Sequence, residues 1–312
     1  MKERKNKGIS IIGGTGFIGK HLINYLCKKN IDQIRALTRN EKTPFISNNI
    51  TLIKGDLSSP SSIDKLIKNQ EVVINLAYIS ENLEANINAI EVLVDSCIKA
   101  KISKLIHCST AVVSGRVNEP IINEETICNP FNEYEKTKLV IEERLLDLTR
   151  NKIELIIIRP TAVFGPDGMN LVKTIHSNLY QSEIIKRNRI MLNKFRCTHL
   201  VPVEDVVKAI FFLTMIEKDL SGEKFIISRD DDQNNNYFYV ANRIAILNNN
   251  KKIRKIFFPF APFFLEKILK LLRKSQIKPN QTYSNKKLKK YGFTNSIDFE
   301  IAVDEFIKFN IK

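Results

Sequence analysis

A tyrosine and a lysine stand four residues apart at three places in this 312-residue chain: Tyr25/Lys29, Tyr134/Lys138 and Tyr283/Lys287. On a helix, positions i and i+4 share one face, so each pair could set an ammonium beside a phenol. The chemistry this offers is proton transfer. A free phenol keeps its proton up to about pH 10, too firmly for efficient exchange near neutrality. A neighbouring positive charge favours the phenolate and pulls that value down. The spacing alone selects none of the three.

Context selects Tyr134. Tyr25 falls on the helical stretch after a glycine-rich turn, and Tyr283 in a basic C-terminal region. Tyr134 opens YEKTKLVIEERLLDLTR, a helical pattern downstream of KLIHCST, a β-rich run that ends in hydroxyl residues. A second chemical feature lies near the N-terminus. In IIGGTGFIGKH, Gly13, Gly16 and Gly19 recur every third residue between the first apolar run and the first helical pattern. Gly13 allows a tight turn, Gly16 lets backbone approach a pyrophosphate, and Gly19 lets helix and strand pack closely, with phosphate held at the helix N-terminus. The pattern predicts a dinucleotide site.

The next strand, IRALTR, ends in Thr38-Arg39. An acidic residue there would bond a ribose 2′-hydroxyl and select NAD. Arg39 instead offers a planar, permanently charged fork suited to a 2′-phosphate, with Arg35 and Lys42 adding positive charge. The expected cofactor is NADP, with NAD the alternative.

These residues need a scaffold, and the hydrophobic pattern supplies one. GISIIGG, IRALTR, ITLIKGDL, EVVINLAY, KLIHCST and IELIIIRP read as strands, with GEKFIIS a later one. Amphipathic stretches such as ANINAIEVLVDSCIKA separate the later runs. Near-continuous apolar strands alternating with helices predict an α/β fold, a doubly wound parallel sheet of the Rossmann type. Residues 1–165 are read as the dinucleotide-binding domain. Residues 166–312 are read as mostly a smaller substrate lobe, with some elements returning to the first domain, packed across the crevice at the strands' carboxyl ends.

Composition narrows the partners. The formal charge is +15, but the basic residues form no single dense tract, so nucleic acid is not an expected partner. Five cysteines without a C-x-x-C pair suggest reduced thiols in a cytoplasmic protein. Four scattered histidines show no metal-ligand spacing. No run approaches the ~18 apolar residues of a transmembrane helix. The Phe/Pro-rich IFFPFAPFFL, from Ile256 to Leu265, is read as packing of the C-terminal lobe rather than a membrane-surface segment.

The landmarks, taken in order, resemble the extended short-chain dehydrogenase/reductase family, which includes nucleotide-sugar epimerases, dehydratases and reductases. They are the G-x-x-G-x-x-G turn, GDL at Gly55–Leu57, NLAY at Asn75–Tyr78, STAVVSG at Ser109–Gly115, YEKTK, RPTAVFGP at Arg159–Pro166, and VPVEDVVKAI to about residue 210. The resemblance implies that Gly13, Gly16, Phe17, Ile18 and Gly19 bind the cofactor. It adds Asp56, which would bond the adenine amine, with Leu57, and Leu76 and Ala77 in the cleft. It implies a catalytic set of Thr110, Tyr134 and Lys138: Thr110 rather than Ser109 holds the substrate oxygen, Tyr134 moves the proton, and Lys138 also binds the nicotinamide ribose. Asn86 matches a helix asparagine of the pattern.

Two departures matter. Ala111 and Val112 stand where the family's 4,6-dehydratases carry an Asp-Glu pair, which opposes dehydration. Thr198 stands where an arginine often serves a nucleotide diphosphate, and Arg196, two residues earlier, is the candidate substitute. The expected activity is therefore nucleotide-sugar 4-ketoreduction. The alternatives are 4-epimerisation with retained NAD, and a catalytically silent NADP-binding regulatory or interaction protein. Family members commonly pair as homodimers through the two helices ANINAIEVLVDSCIKA and YEKTKLVIEERLLDLTR, and a homodimer is expected here.

Overall fold

The computed structural model describes residues 8–31, 33–39, 49–79, 82–194, 196–248 and 262–311. Its first half runs β1 (Ile9–Ile12), α1 (Phe17–Lys28), β2 (Ile34–Thr38), β3 (Ile50–Lys54), α2 (Pro60–Ile67), β4 (Val72–Asn75), α3 (Leu83–Lys99) and β5 (Lys104–Cys108). There follow a two-residue strand β6 (Ile121–Ile122), α4 (Glu133–Thr149) and β7 (Glu154–Pro160). The second half comprises β8 (Ala162–Phe164), α5 (Val172–Tyr180), α6 (Glu183–Asn193), β9 (Leu200–Pro202), α7 (Val203–Met215), β10 (Glu223–Ile227) and α8 (Tyr237–Leu247). It closes with α9 (Pro262–Leu271), β11 (Thr282–Tyr283), α10 (Lys286–Lys290) and α11 (Phe299–Ile311).

The seven runs read as strands form one seven-stranded parallel sheet in the order β10-β7-β5-β4-β1-β2-β3. Every residue of β1, β4 and β5 is buried, as strands covered on both faces require, and their Ile/Val/Leu content follows from that. Ser10, Asn75, His107 and Lys104 are the polar exceptions. The ammonium of Lys104, on β5, donates to the carbonyls of Leu213 (3.1 Å) and Ile216 (2.8 Å) at the C-terminal end of α7 and pairs with Glu154 at 3.2 Å. The chain runs outward from β1 to β2 and β3, then returns to place β4 on β1's other side. Strand order therefore reverses between β1 and β4, and ligands of such sheets bind at that reversal, outside the strands' carboxyl ends.

One helical layer packs α3 and α4 on this sheet. Leu93, Val94 and Cys97 from α3 meet Ile141 and Leu145 from α4 over Leu105, Leu155 and Ile157. Each such fully buried aliphatic side chain contributes about 1.5–3 kcal/mol. The N-terminus of α3 is capped by Asn82, whose Oδ1 accepts from the Ala85 N–H at 2.9 Å.

The chain divides into two compact units, each drawn from three segments. The first holds Met1–Thr110, Glu133–Arg159 and Val207–Phe225; the second holds Ala111–Asn132, Pro160–Val206 and Ile226–Lys312. In the second, β6 pairs with β11 and β8 with β9, both in parallel. Its core sets the Phe164 ring edge-on to Phe299 and Phe306. A buried pair, Arg229 with Asp205 at 2.9 Å, ties α7 to the loop after β10. The Phe/Pro-rich stretch of 256–265 lies, up to residue 261, outside the described residues, as does Lys42. No helix among the described residues is long and apolar enough to cross a membrane.

Candidate active site

The glycine turn has the shape its spacing predicts. Gly13 sits at φ +80, and a Cβ there would come within 3.0 Å of the Ala77 nitrogen and the Leu76 carbonyl carbon. A Cβ on Gly19 would lie 2.2 Å from the Gly13 oxygen, so only glycine lets α1 seat on the turn. Gly16 is the N-cap of α1, with Phe17 and Ile18 opening the helix behind it. The turn leaves backbone room where a pyrophosphate would lie, at the positive end of α1.

Beside it lies a cavity of about 600 Å³, within the usual size range for a ligand site. Of the expected cofactor residues, Gly13, Arg39, Asp56, Leu57 and Ala77 line it. Gly16, Phe17, Ile18, Gly19, Leu76 and Lys138 are not among its lining residues. Thr15, Ser58, Tyr78 and Asn88 also line it; the sequence reading assigned none of them a role. Asp56 is braced by Ser58, whose backbone N–H donates to Oδ1 at 3.0 Å and whose hydroxyl bonds the same oxygen. Those bonds, with a smaller contribution from the Arg39 charge, hold its carboxyl below the usual range. Arg39 is exposed at the end of β2. Arg35 is occupied elsewhere: its guanidinium caps the end of α2 by donating to the carbonyls of Lys65 (3.1 Å) and Lys68 (2.7 Å). Among the described residues that line this rim, Arg39 supplies the positive charge.

Asn75 is buried and acts on the loop. Its Oδ1 accepts from the Ala77 N–H at 3.1 Å and its Nδ2 faces His107 Nδ1 at 3.3 Å. Asn86 is occupied in the same manner. Its Oδ1 accepts from the Ile79 N–H (3.0 Å), and its Nδ2 donates to the carbonyls of Ile79 (3.0 Å) and Asn82 (2.7 Å). This amide fixes the segment that carries Tyr78.

The residues expected to transfer a proton gather where β5 ends. Thr110, two residues past the strand, hydrogen-bonds the Tyr134 phenol, a contact that favours the phenolate. Ser109 does not share the role; its buried hydroxyl has no partner. Tyr134 lies in the first turn of α4, and Lys138 one turn on, 4% exposed. The Lys138 ammonium donates to the Cys108 carbonyl at 3.2 Å and lies over the Tyr78 ring, 4.7 Å from its centroid. Tyr78 also meets Tyr134 edge-on, centroids 5.3 Å apart. One residue thus both lines the dinucleotide cavity and packs on the phenol.

Burial opposes the downward pull expected of a neighbouring positive charge. Burial, with the Cys108 and Tyr78 groups nearby, pushes Tyr134 up to about 12, against the smaller opposing effect of the Thr110 bond. The Lys138 charge is directed at a carbonyl and a ring instead. Burial lowers the lysine's own pKa, partly offset by Cys108 and Glu142. Glu142, one turn beyond, is held in a buried pair with Arg159 at 2.5 Å.

The other two spacings have different uses. Tyr25 packs edge-on to Phe211, with Lys29 above its ring at 5.5 Å. Tyr283 lies in β11, and its hydroxyl accepts from Gln276 Nε2 at 3.0 Å. In the second unit, half-buried Arg196 accepts from Tyr237 N–H through its backbone carbonyl at 3.0 Å, and the Thr198 hydroxyl donates to Asn235 Oδ1 at 2.6 Å.

A glycine turn at a strand-order reversal defines a doubly wound, dinucleotide-binding type of fold. Residues 9–228 match the NAD dependent epimerase/dehydratase family, and the chain belongs to that family. It is 26% identical over 204 residues to the decarboxylating sterol-4-alpha-carboxylate 3-dehydrogenase of Schizosaccharomyces pombe, covering 61% of this chain and 60% of that protein. It is 26% identical over 180 residues to a UDP-glucose 4-epimerase of Azospirillum brasilense, covering 51% and 50%. The match thus spans three-fifths or less of these two relatives' lengths. In fold it is similar to the UDP-glucuronic acid 4-epimerase of Bacillus cereus, solved with UDP-glucuronic acid and NAD: TM-score 0.72, 18% identity, 97% of this chain and 99% of that one.

Proposed function

We propose that this protein reduces a keto group on a sugar, nucleotide-linked, with NADPH as the exchangeable reductant. The observation that carries the reading is the Thr110–Tyr134 bond beside a buried Lys138. The bound dinucleotide supplies the hydride. Thr110 holds the carbonyl oxygen, and Tyr134 passes its proton to that oxygen as the alcohol forms. The resulting phenolate regains a proton from solvent. Lys138 also serves the nicotinamide ribose. A phenol near 12 suits a proton donor, because it remains protonated throughout the neutral range.

Arg39 supports NADPH over NAD, and an exchangeable reductant supports net reduction over epimerisation with retained NAD. Thr198 favours a second reading. With a small hydroxyl tied to Asn235 in place of a diphosphate-binding arginine, a ring alcohol or ketone without a nucleotide becomes a fitting substrate, as in the sterol-carboxylate relative. A panel of nucleotide sugars and apolar cyclic ketones and alcohols, assayed with NADPH and NADH, distinguishes the two. Turnover of the apolar ring compounds alone would displace the sugar reading.

The proposal includes a cytoplasmic homodimer paired through α3 and α4, on which Leu83 and Val140 remain 42% and 37% exposed. Light scattering at micromolar concentration should give twice the monomer mass, and a monomer mass would contradict it.

A further inference from the structure

The sequence around Cys197-Thr198-His199 carries no familiar ligand spacing, and Asp230 lies thirty-one residues beyond His199. The fold of the second unit brings the three together. Cys197 and His199 sit just before β9, and Asp230 just after β10. One donor atom from each lies within 4.8 Å of the other two. Cys197 is 9% and His199 8% exposed, and the Asp230 side chain is inaccessible.

The cluster is held from outside. His199 adopts φ +53, a left-handed conformation uncommon for a residue other than glycine, and its carbonyl accepts from Ala162 N–H at 2.8 Å. Its ring stands edge-on to Tyr283, and its Nδ1 meets Asp230 Oδ2 at 2.6 Å. The same Oδ2 accepts the Tyr283 N–H at 2.8 Å, and Asn235 Nδ2 reaches Oδ1 at 3.4 Å. Ser228 fixes the Asp230 backbone at 3.0 Å. Outer bonds that orient the donors in this way are the usual surroundings of metal ligands.

A thiol, an imidazole and a carboxylate form a donor set that suits zinc and not magnesium or calcium, which take oxygen ligands. Tetrahedral zinc, with bonds of about 2.0–2.3 Å, sets its ligand atoms roughly 3.3–3.7 Å apart. The His199–Asp230 pair needs to open by about 1 Å to reach that separation. We propose that Cys197, His199 and Asp230 form a zinc site that clips together the segments preceding β9 and following β10, with water as the fourth ligand. Binding releases the thiol proton to solvent and forms the sulfur–metal bond. The neutral imidazole ligates through Nδ1 and carries its proton on Nε2.

The test uses the full chain with no polyhistidine tag. Mass spectrometry of metals should find about one zinc per chain after dialysis against buffer, with a thermal midpoint that falls on chelation and recovers with added zinc. Cobalt substitution should give a near-ultraviolet thiolate-to-metal charge-transfer band. Cys197→Ser, which retains a hydroxyl donor toward Asp230, should abolish the band and weaken zinc binding at least about a hundredfold. Cys27→Ser and Cys128→Ser should preserve both. His199→Gln, monitored by circular dichroism, supplies a second ligand variant. Substoichiometric zinc, no charge-transfer band, or a band that survives Cys197→Ser would overturn the proposal and leave a hydrogen-bonded cluster only.

Discussion

Lys138 donates to the Cys108 carbonyl at 3.2 Å. That bond ties α4 to the last residue of β5, and the same strand leads two residues later to Thr110. The proposed proton donor Tyr134, its partner Thr110 and Lys138 are thereby referred to one buried strand rather than to a loop. A site that must place a proton within a hydrogen bond of a reacting oxygen gains from such rigidity.

Arg39→Ala tests the cofactor. Removing one charge-assisted contact costs roughly 1.5–3 kcal/mol, so NADPH affinity should fall about tenfold to more than a hundredfold by fluorescence titration. NADH should be affected little. Equal losses for both, or tighter binding of NADH by the unaltered protein, would contradict the NADPH reading.

The raised phenol predicts an asymmetric pH profile. Reduction needs Tyr134 protonated, and a value of about 12 leaves it protonated from neutrality well into the alkaline range. The kcat/KM for reduction should therefore be flat with respect to this group between pH 7 and 9. Oxidation of the product alcohol needs the phenolate, so its rate should climb about tenfold per pH unit below that pKa. A reduction rate that falls through pH 8 would contradict the assignment.

His107 predicts acid sensitivity. It is fully buried, its Nδ1 accepts from Asn75, and burial with the nearby Lys138 charge holds its pKa well below the usual value. Below about pH 6.5 the unfolded chain binds a proton there that the folded protein does not. Stability then falls with falling pH, by up to about 1.4 kcal/mol per unit. His107→Phe should flatten this part of the profile in urea titrations at pH 5 and 7. An unchanged slope would remove His107 as its source.

The scaffold was largely legible because it rests on local pattern. All seven strands of the sheet announce themselves as short apolar runs, and Tyr134 follows from its position after one of them. What the sequence hid depends on distant neighbours. The direction of the Tyr134 shift is set by desolvation, which sums over residues far apart in the chain, whereas the lysine four positions away is visible at once. Tyr78 was quoted within NLAY, yet nothing in the motif says that its ring would bridge Lys138 and Tyr134. Asn86 is visible in the sequence as a helix asparagine, but the bonds of its amide to the Ile79 backbone are not. The β6–β11 pair joins two residues to two others some 160 positions away, too short for any periodicity.

The measurement closest to the central claim compares turnover of one ketone by the unaltered protein and by Tyr134→Phe, Tyr25→Phe and Tyr283→Phe. Loss of the Tyr134 hydroxyl should lower kcat by about 10²–10⁴-fold, with folding and dinucleotide binding retained. The Tyr25 and Tyr283 variants, which share the same spacing to a lysine, should keep nearly full rate. Lys138→Met should reduce both kcat and dinucleotide affinity. A Tyr134→Phe protein that turns over like the unaltered one would contradict the assignment of this phenol as the proton donor.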